Sequence, residues 1–216
     1  MTEQPSPLKT IVLLILLSFA YAVADSLTVI AVGDIMMGSD FPSDRLPPEQ
    51  GNKLFLNVAD SLKSADLTLG NLEGVLLDGG VCTKNPSKGK VYAFRTPVHF
   101  AGNLAEAGFD FLNLANNHMN DFGRAGIQSS KESLEALDIE YGGPEGRTGT
   151  FKIIAKDSTD TLYSMDSLSV SIVSFATSPG ADLIFDIEQA LQKVARLSRE
   201  NDIVVVSFHG GGEGLG

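Results

Sequence analysis

Tryptophan is absent from the 216 residues of this chain, and cysteine occurs only once. A single thiol cannot form an internal disulfide, so disulfide bonds are not expected to hold the fold together. Cys82 stands beside a polar stretch that contains proline and glycine, and no base lies next to it in the sequence. This setting indicates an incidental free thiol in a loop and not a nucleophile.

Positive charge is also scarce. The chain has 16 Lys and Arg against 27 Asp and Glu, which gives a net charge of -11. Such a surface repels phosphate backbones and anionic membranes, so nucleic acid is not an expected partner. Most of the acidic residues are expected to serve solubility. The length and the hydrophobic content of 43% suit one domain with a sizeable core.

Only one long apolar run occurs, IVLLILLSFAYAVA at residues 11–24. Lys9 precedes the run, and two A-x-A patterns close it, as in a secretory signal peptide. The run is shorter than the roughly 20 residues that span a bilayer as a helix. Residues 1–24 are therefore predicted to be a signal peptide or an uncleaved N-terminal membrane anchor. The domain proper is predicted at 25–216, exported to the periplasm or the extracellular space, or anchored facing outward.

From residue 26 onward, apolar β-branched runs alternate with segments of helical periodicity, and a group of short strands follows in the middle. This order favours an α/β layered sandwich with mixed sheets. The turn cluster at 141–144 is expected to close the front half. Strands are predicted at 27–32, 66–69, 109–115, 151–155, 161–165, 168–175 and 203–208, and helices at 53–63, 97–107, 127–137 and 184–199.

Four of the apolar segments run into polar loops that contain glycine, at 32–38, 69–74, 114–123 and 206–214. Ligands of α/β sheets bind outside the carboxyl ends of strands, where such loops converge. Carboxylate oxygens and imidazole nitrogens together suit divalent Zn, Mn or Fe, and a pair of such ions can clamp a phosphoryl group. The loops therefore predict one metal pocket that gathers Asp34, Glu73, Asn117, His118 and His209.

Taken singly, most of these residues also have ordinary structural explanations. Asp34 suits a helix cap or a turn, Glu73 a solvated loop, and Asn117 a left-handed turn. His209 has the weakest such explanation, because it ends an apolar strand and precedes three glycines. His99 lies inside a predicted helix and is expected at the surface or in packing. Met36 and Met37 are expected in the core and not as ligands.

With these loops in hand, the chain resembles the CapA family of poly-γ-glutamate capsule biosynthesis proteins from about residue 27 to its end. The motifs that carry the resemblance are Gly-Asp-x-Met-x-Gly at 33–38, Asn-x-Glu at 71–73, Ala-Asn-Asn-His-x-x-Asp-x-Gly at 115–123 and His-x-Gly-x-Glu at 209–213. The family is similar in fold to calcineurin-like metallophosphoesterases, so the resemblance implies an αββα sandwich with a dinuclear metal centre.

The resemblance also implies roles for individual residues. Asp34 and His209 would ligate metal, and Glu73 and Asn117 would ligate or bridge. His118 would face the substrate as a general acid or a phosphate-contacting group. Asp121 would orient His118 or hold its loop.

Two departures from the pattern keep two functions open. Asp34 is followed by Ile35 and Met36, so the Asp-x-His of metallophosphoesterases is missing. No Gly-x-His-x-His segment occurs before Gly216, so the domain is expected to be truncated at its C-terminus.

The first hypothesis is an exported metal-dependent hydrolase or transferase. Its expected partners are an anionic surface polymer or its precursor, and membrane-bound polymer synthase components. The alternative is a non-catalytic envelope component that binds or assembles polymer.

Overall fold

The structure is a computed structural model that describes residues 27–84, 92–153 and 167–210. The predicted signal segment at 1–24 and the predicted strand at 161–165 lie outside these ranges. Within them, none of the helices combines the length and the apolar character needed to cross a membrane.

Strands and helices alternate along the chain, which confirms the predicted α/β class. Two sheets carry most of the strands, and a short parallel pair forms a third. In chain order the strands are β1 (Val29–Ile35), β2 (Leu67–Leu72), β3 (Val75–Leu76), β4 (Arg95–Thr96), β5 (Phe111–Asn113), β6 (Glu140–Gly142), β7 (Gly149–Ile153), β8 (Leu168–Ala176), β9 (Asp182–Leu183) and β10 (Ile203–His209).

The first sheet has the order β1-β2-β5-β6, and all of its neighbours are parallel. The second has the order β10-β8-β7, with β9 beside β8. It is mixed, because β10 and β9 run parallel to β8 whereas β7 runs antiparallel to it. Parallel strands end at the same edge of a sheet, so the loops after β1 and β2 emerge together, as do those after β8 and β10.

The α-helices of the described ranges are α1 (Ala59–Ser64), α2 (Ala101–Ala107), α3 (Gly123–Glu135) and α4 (Ile187–Glu200). Gly108 ends α2 in the left-handed conformation, at φ +90°, which confirms the predicted stop. Asp186 caps α4, because its carboxylate accepts a hydrogen bond from the backbone N–H of Gln189 at 3.2 Å.

Three hydrophobic clusters hold these elements together. The first joins Leu62, Leu104 and Leu134 of the helices α1, α2 and α3 to one face of the first sheet. The second contains Leu67, Leu69 and Phe111 of the first sheet together with Val170 and Ile172 of β8, so the two sheets pack on each other. The third joins the other face of β8 to α4, through Val173, Phe175, Ala190 and Leu197. Period-two alternation along β8 therefore serves both clusters.

Several predicted elements are wrong in their extent. Only Ala59–Ser64 of the segment 53–63 is an α-helix. Before it, Leu54, Leu56 and Val58 are exposed, and Phe55 packs against the first cluster. Pro97 does not open α2. It precedes a 3-10 turn, Val98–Phe100, and α2 begins after that turn.

Three further expectations need correction. The α3 helix begins at Gly123 and not at 127. Residues 141 and 142, predicted as part of the turn cluster at 141–144, belong to the strand β6, which pairs with β5. Met36 was expected in the core but is 39% exposed, whereas Met37 is buried. Met36 and Met37 directly follow β1, and the alternation of its side chains continues there: Ile35 and Met37 are buried, and Met36 between them is exposed.

Gly143 lies directly after β6 and packs against the loop that carries the paired asparagines. Its φ is +113°, and a Cβ at this position would lie 2.6 Å from the backbone nitrogen of Ala115. Only glycine permits both this conformation and this approach. The backbone just before Asn116 is thereby held close to the first sheet.

Candidate metal centre

The carboxyl ends of β1, β2 and β10 bring three of the predicted ligands together. Asp34 lies near the end of β1, Glu73 directly follows β2, and His209 is the last residue of β10. Each offers one ligand atom, and these atoms all lie within 4.8 Å of one another. The two sheets thus contribute jointly to one cluster.

The geometry of this cluster fits a divalent cation. The Nδ1 atom of His209 is 3.6 Å from Oδ1 of Asp34 and 4.0 Å from Oε2 of Glu73. Ligands bound about 2.1 Å from one ion lie roughly 3 to 3.5 Å apart, so a small contraction would complete the coordination. Two carboxylates and one imidazole are a donor set that Zn, Mn and Fe all accept. Asp34 is the most open of the three, with 57% of its side chain exposed.

Asn117 contacts the far side of the His209 ring. Its Oδ1 atom lies 2.8 Å from Nε2 of His209. An amide oxygen only accepts hydrogen bonds, so this contact assigns the proton to Nε2 and leaves the Nδ1 lone pair facing Asp34 and Glu73. The structure thus places Asn117 against His209 on the side away from Asp34 and Glu73, in the position of a residue that orients a metal-binding imidazole. Direct ligation by Asn117 stays a prediction.

His118 lies beside the cluster and is buried. Its Nδ1 atom is 2.8 Å from Oδ2 of Asp121, and its Nε2 atom is 3.6 Å from Oε1 of Glu73. The ring of Phe94 stacks against the imidazole with 4.3 Å between centroids. The backbone N–H of His118 donates to Oδ1 of Asn116 at 3.0 Å. The histidine is therefore held from both ends, and one ring nitrogen points toward the metal candidates.

Asp121 is fully buried, and its partners explain how it is tolerated there. Its Oδ2 atom accepts a 2.8 Å hydrogen bond from the backbone N–H of Phe94. Its Oδ1 atom has no well-aligned hydrogen bond among the described residues, but the ammonium of Lys84 lies 2.6 Å away as an ion pair. That ammonium also lies 3.2 Å from Nδ1 of His118. Burial without such a cation would be costly for a carboxylate.

Sequence reasoning missed two residues of the site. Lys84 lies in the polar loop after Cys82, where no spacing rule points to Asp121. Asn71 lies at the first position of the Asn-x-Glu motif, and its side chain sits among Asp34, Glu73 and His209. The motif itself was the signal that could have found Asn71. His99, by contrast, is exposed and outside the site, as predicted.

Burial raises the pKa of the Glu73 carboxyl above its ordinary value of 4.5. The neighbouring histidines His118 and His209 and the hydrogen bond from Asn71 oppose this shift, whereas the charge of Asp34 adds to it. Desolvation has the largest effect on this pKa, because burial removes water from most sides of the carboxylate. The raised pKa means that the folded chain binds this proton more tightly than the unfolded chain.

The Glu73→Gln variant tests this shift in chelator-treated protein. Between pH 4.5 and the higher folded pKa, the folded state holds more protons, so the free energy of unfolding of the wild type falls as pH rises. Glutamine does not titrate, so the variant should gain stability relative to the wild type from pH 4 to pH 7. Urea denaturation at both ends of this range measures the difference.

The control for this measurement is Glu106→Gln, which makes the same change on the exposed face of α2. Glu106→Gln should show no comparable gain in stability relative to the wild type from pH 4 to pH 7. A Glu73→Gln variant that instead loses stability relative to the wild type as pH rises would contradict the raised pKa.

The chain is an α/β protein with a candidate metal centre. Parallel strands of both sheets end at this centre, which consists of two carboxylates and one imidazole. The family model described as "Bacterial capsule synthesis protein PGA_cap" matches residues 28–215. The chain therefore belongs to this family of bacterial capsule synthesis proteins.

Among curated proteins, the chain is similar to the capsule biosynthesis protein CapA of Bacillus anthracis. The two are 29% identical over 200 residues, which cover 88% of this chain and 47% of the relative. It is also similar to the uncharacterized protein y4sH of Sinorhizobium fredii, at 28% identity over 127 residues, which cover 58% of this chain and 26% of the relative. The chain thus spans less than half the length of these relatives.

Proposed function

We propose that this chain is an exported metal-binding protein of capsule polymer biosynthesis that acts as a metal-dependent hydrolase or transferase. The observation that carries the proposal is the cluster of Asp34, Glu73 and His209 beside a buried His118. Membership of the capsule synthesis family supports the biological role. Sequence alone supports export, through the apolar run at 11–24.

A metallophosphoesterase-like arrangement of layers is part of this proposal. Three helices pack on the outer face of the first sheet, the two sheets pack on each other, and α4 packs outside β8. This order of layers supports the αββα sandwich that the motifs imply. The site then lies where ligands of such sheets are expected, at the carboxyl ends of parallel strands.

Each residue of the site would have its own chemical role. Asp34, Glu73 and His209 would hold a divalent cation, and Asn117 would orient His209 or add a ligand. The bound cation would supply Lewis-acid polarisation of a phosphoryl or acyl oxygen. Asp121 fixes the His118 ring through Nδ1, which leaves Nε2 on the side of the cluster to hold or deliver a proton.

The partners proposed for this site are an anionic surface polymer or its precursor, together with membrane-bound components of a polymer synthase. A ligated cation beside Lys84 would offer positive charge to a polyanion that the chain's net charge of -11 otherwise repels. Binding of the polymer is therefore expected to depend on the cation.

The experiment combines metal analysis with turnover. Purified chain is incubated with Mn²⁺, Zn²⁺ or Fe²⁺, freed of excess ion, and assayed for bound metal. It is then assayed with an aryl phosphodiester and with poly-γ-glutamate. His118→Ala should lower turnover about 10²- to 10⁴-fold, the usual contribution of a general acid, and leave bound metal unchanged.

The matched control for this assay is His99→Ala, which removes an exposed histidine outside the site. Turnover that survives His118→Ala at full rate would overturn the assigned role of His118. A wild-type chain that retains no metal would overturn the proposal as a whole.

A second candidate function is a non-catalytic component that binds polymer. The observation that favours it is the sequence Asp34-Ile35-Met36, which lacks the histidine of the Asp-x-His pattern. Within the described ranges, the three-residue cluster is the single metal candidate formed by His, Cys, Asp and Glu. Cation-dependent retention of poly-γ-glutamate without turnover of any tested substrate would support this alternative.

A further inference from the structure

The side-chain amide of Asn71 occupies the middle of the candidate metal centre. Its Nδ2 atom donates to Oδ1 of Asp34 at 2.8 Å and to Oε2 of Glu73 at 2.9 Å. The same nitrogen lies 3.2 Å from Nδ1 of His209. One NH₂ group therefore contacts all three side chains that would hold the cation, and Asn71 itself is only 8% exposed.

The orientation of this amide is determined by two further asparagines. Oδ1 of Asn113 accepts from the backbone N–H of Ala115, so its NH₂ group faces Asn71 and donates to Oδ1 at 3.1 Å. Oδ1 of Asn116 accepts from the backbone N–H of His118, and its NH₂ group donates to the same oxygen of Asn71 at 3.2 Å.

Because backbone N–H groups only donate, neither Asn113 nor Asn116 can be flipped without losing a buried hydrogen bond. The oxygen of Asn71 therefore faces the two asparagines, and its NH₂ group faces the two carboxylates. An amide nitrogen has no free lone pair, so this group cannot be a metal ligand in the orientation described.

A cation and this amide exclude each other. The Nδ1 atom of His209 lies 3.6 and 4.0 Å from the two carboxylate oxygens, and all three atoms lie within 4.8 Å of one another. After a small contraction, an ion about 2.1 Å from each would lie close to the middle of the three. Nδ2 of Asn71 lies against the same place, within 3.2 Å of every ligand atom. Ligation of a cation by all three side chains requires the amide to withdraw.

We propose that Asn71 is a neutral placeholder for the cation. Its NH₂ group holds Asp34 and Glu73 near ligand spacing, and a divalent cation must displace it to bind. This inference rests on the proposed metal-binding function. The hydrogen bonds from Asn71 to Asp34 and Glu73 are charge-assisted. A cation can be held by all three side chains only after these bonds break. Their loss therefore lowers the net affinity of the protein for the cation. A monovalent ion gains less from two carboxylates and is expected to displace the amide poorly.

The test measures Zn²⁺ affinity of the full chain by calorimetry after removal of bound metal with a chelator. Asn71→Ala removes the competing donor, so it should bind Zn²⁺ roughly ten-fold more tightly than the wild type, or more. The same variant should unfold at lower urea concentration in chelator, because the two carboxylates then repel each other. Asn71→Ser provides a second, smaller polar replacement with the same expectation.

Asn103→Ala is the matched control. Asn103 is a buried asparagine of α2 that donates to the backbone oxygen of Gln50, outside the site. Its replacement should lower stability and leave the Zn²⁺ affinity unchanged. In the wild type, NMR signals of the Asn71 side-chain amide, assigned by their loss in Asn71→Ser, should shift when Zn²⁺ is added.

The results of these measurements distinguish failure of the displacement of Asn71 from failure of the proposed metal-binding function. Wild-type binding with equal or weaker affinity in both Asn71 variants would overturn displacement, because the amide would then support the ligands in the loaded protein. Absence of Zn²⁺ binding in the wild type and in every variant would overturn the proposed metal function and displacement together.

Discussion

His209→Ala is expected to weaken Zn²⁺ binding at least about 100-fold, because it removes one of the three ligand atoms that lie within 4.8 Å of one another. Loss of a residue that only orients a metal ligand costs about 10- to 100-fold, so loss of the ligand itself should cost no less. The two remaining carboxylates would face a cation with open coordination positions. Calorimetric titration of the chelator-treated chain measures the affinity.

His99→Ala provides the matched control, since it makes the same chemical change at an exposed position outside the site. Its affinity for Zn²⁺ should equal that of the wild type. Unchanged affinity in His209→Ala would show that the cation is held elsewhere, and the cluster at the strand ends would lose its assignment as the metal centre.

Asp121→Ala is expected to lower the free energy of unfolding by about 2–4 kcal/mol. The carboxylate is fully buried, and it accepts a hydrogen bond from the backbone N–H of Phe94 and contacts Nδ1 of His118. Its removal leaves these groups and the Lys84 ammonium without their partner. Lys84 is 31% exposed and can turn partly toward water, so the loss should fall below that of a fully buried pair. Urea denaturation in chelator measures it.

Asp60→Ala is the control for a carboxylate in the exposed first turn of a helix, and its effect should stay below about 0.5 kcal/mol. Asp121→Asn keeps the shape and removes the charge, so it should also destabilise the chain because Lys84 loses its ion pair. A loss of less than about 1 kcal/mol in Asp121→Ala would contradict the view that Asp121 anchors Lys84 and His118.

Predictions from the sequence held best where one local pattern decides the structure. The strongly apolar run before His209 predicted a strand at 203–208, and β10 spans Ile203–His209. Gly108 stopped α2 as expected, because the left-handed conformation at a helix end favours glycine. In each case, the strand or helix signal lies in consecutive residues.

Predictions failed where the outcome depended on distant partners. Apolar residues spaced as in a helix at 53–63 gave only a short helix. Phe55 and Leu62 pack against the core, whereas Leu54 and Val58 stay exposed. The residues of β6 look like part of a turn in isolation, and they form a strand because β5 offers them parallel pairing. Propensity is a weak prior when packing and pairing compete with it.

The sequence by itself determined the α/β class, the family, and the candidate residues at strand ends, since apolar runs followed by polar glycine-containing loops are local patterns. Only the tertiary structure decided that Asn71 and His209, 138 residues apart, lie within 3.2 Å of each other. It alone paired Lys84 with Asp121 and set Asn117 against the His209 ring. The physical reason is that no spacing along the chain encodes these distances. The packing of one sheet on the other, through scattered apolar side chains, sets the contacts of His209, and hydrogen bonds from Thr83 to the loop of Asp121 set the pairing of Lys84.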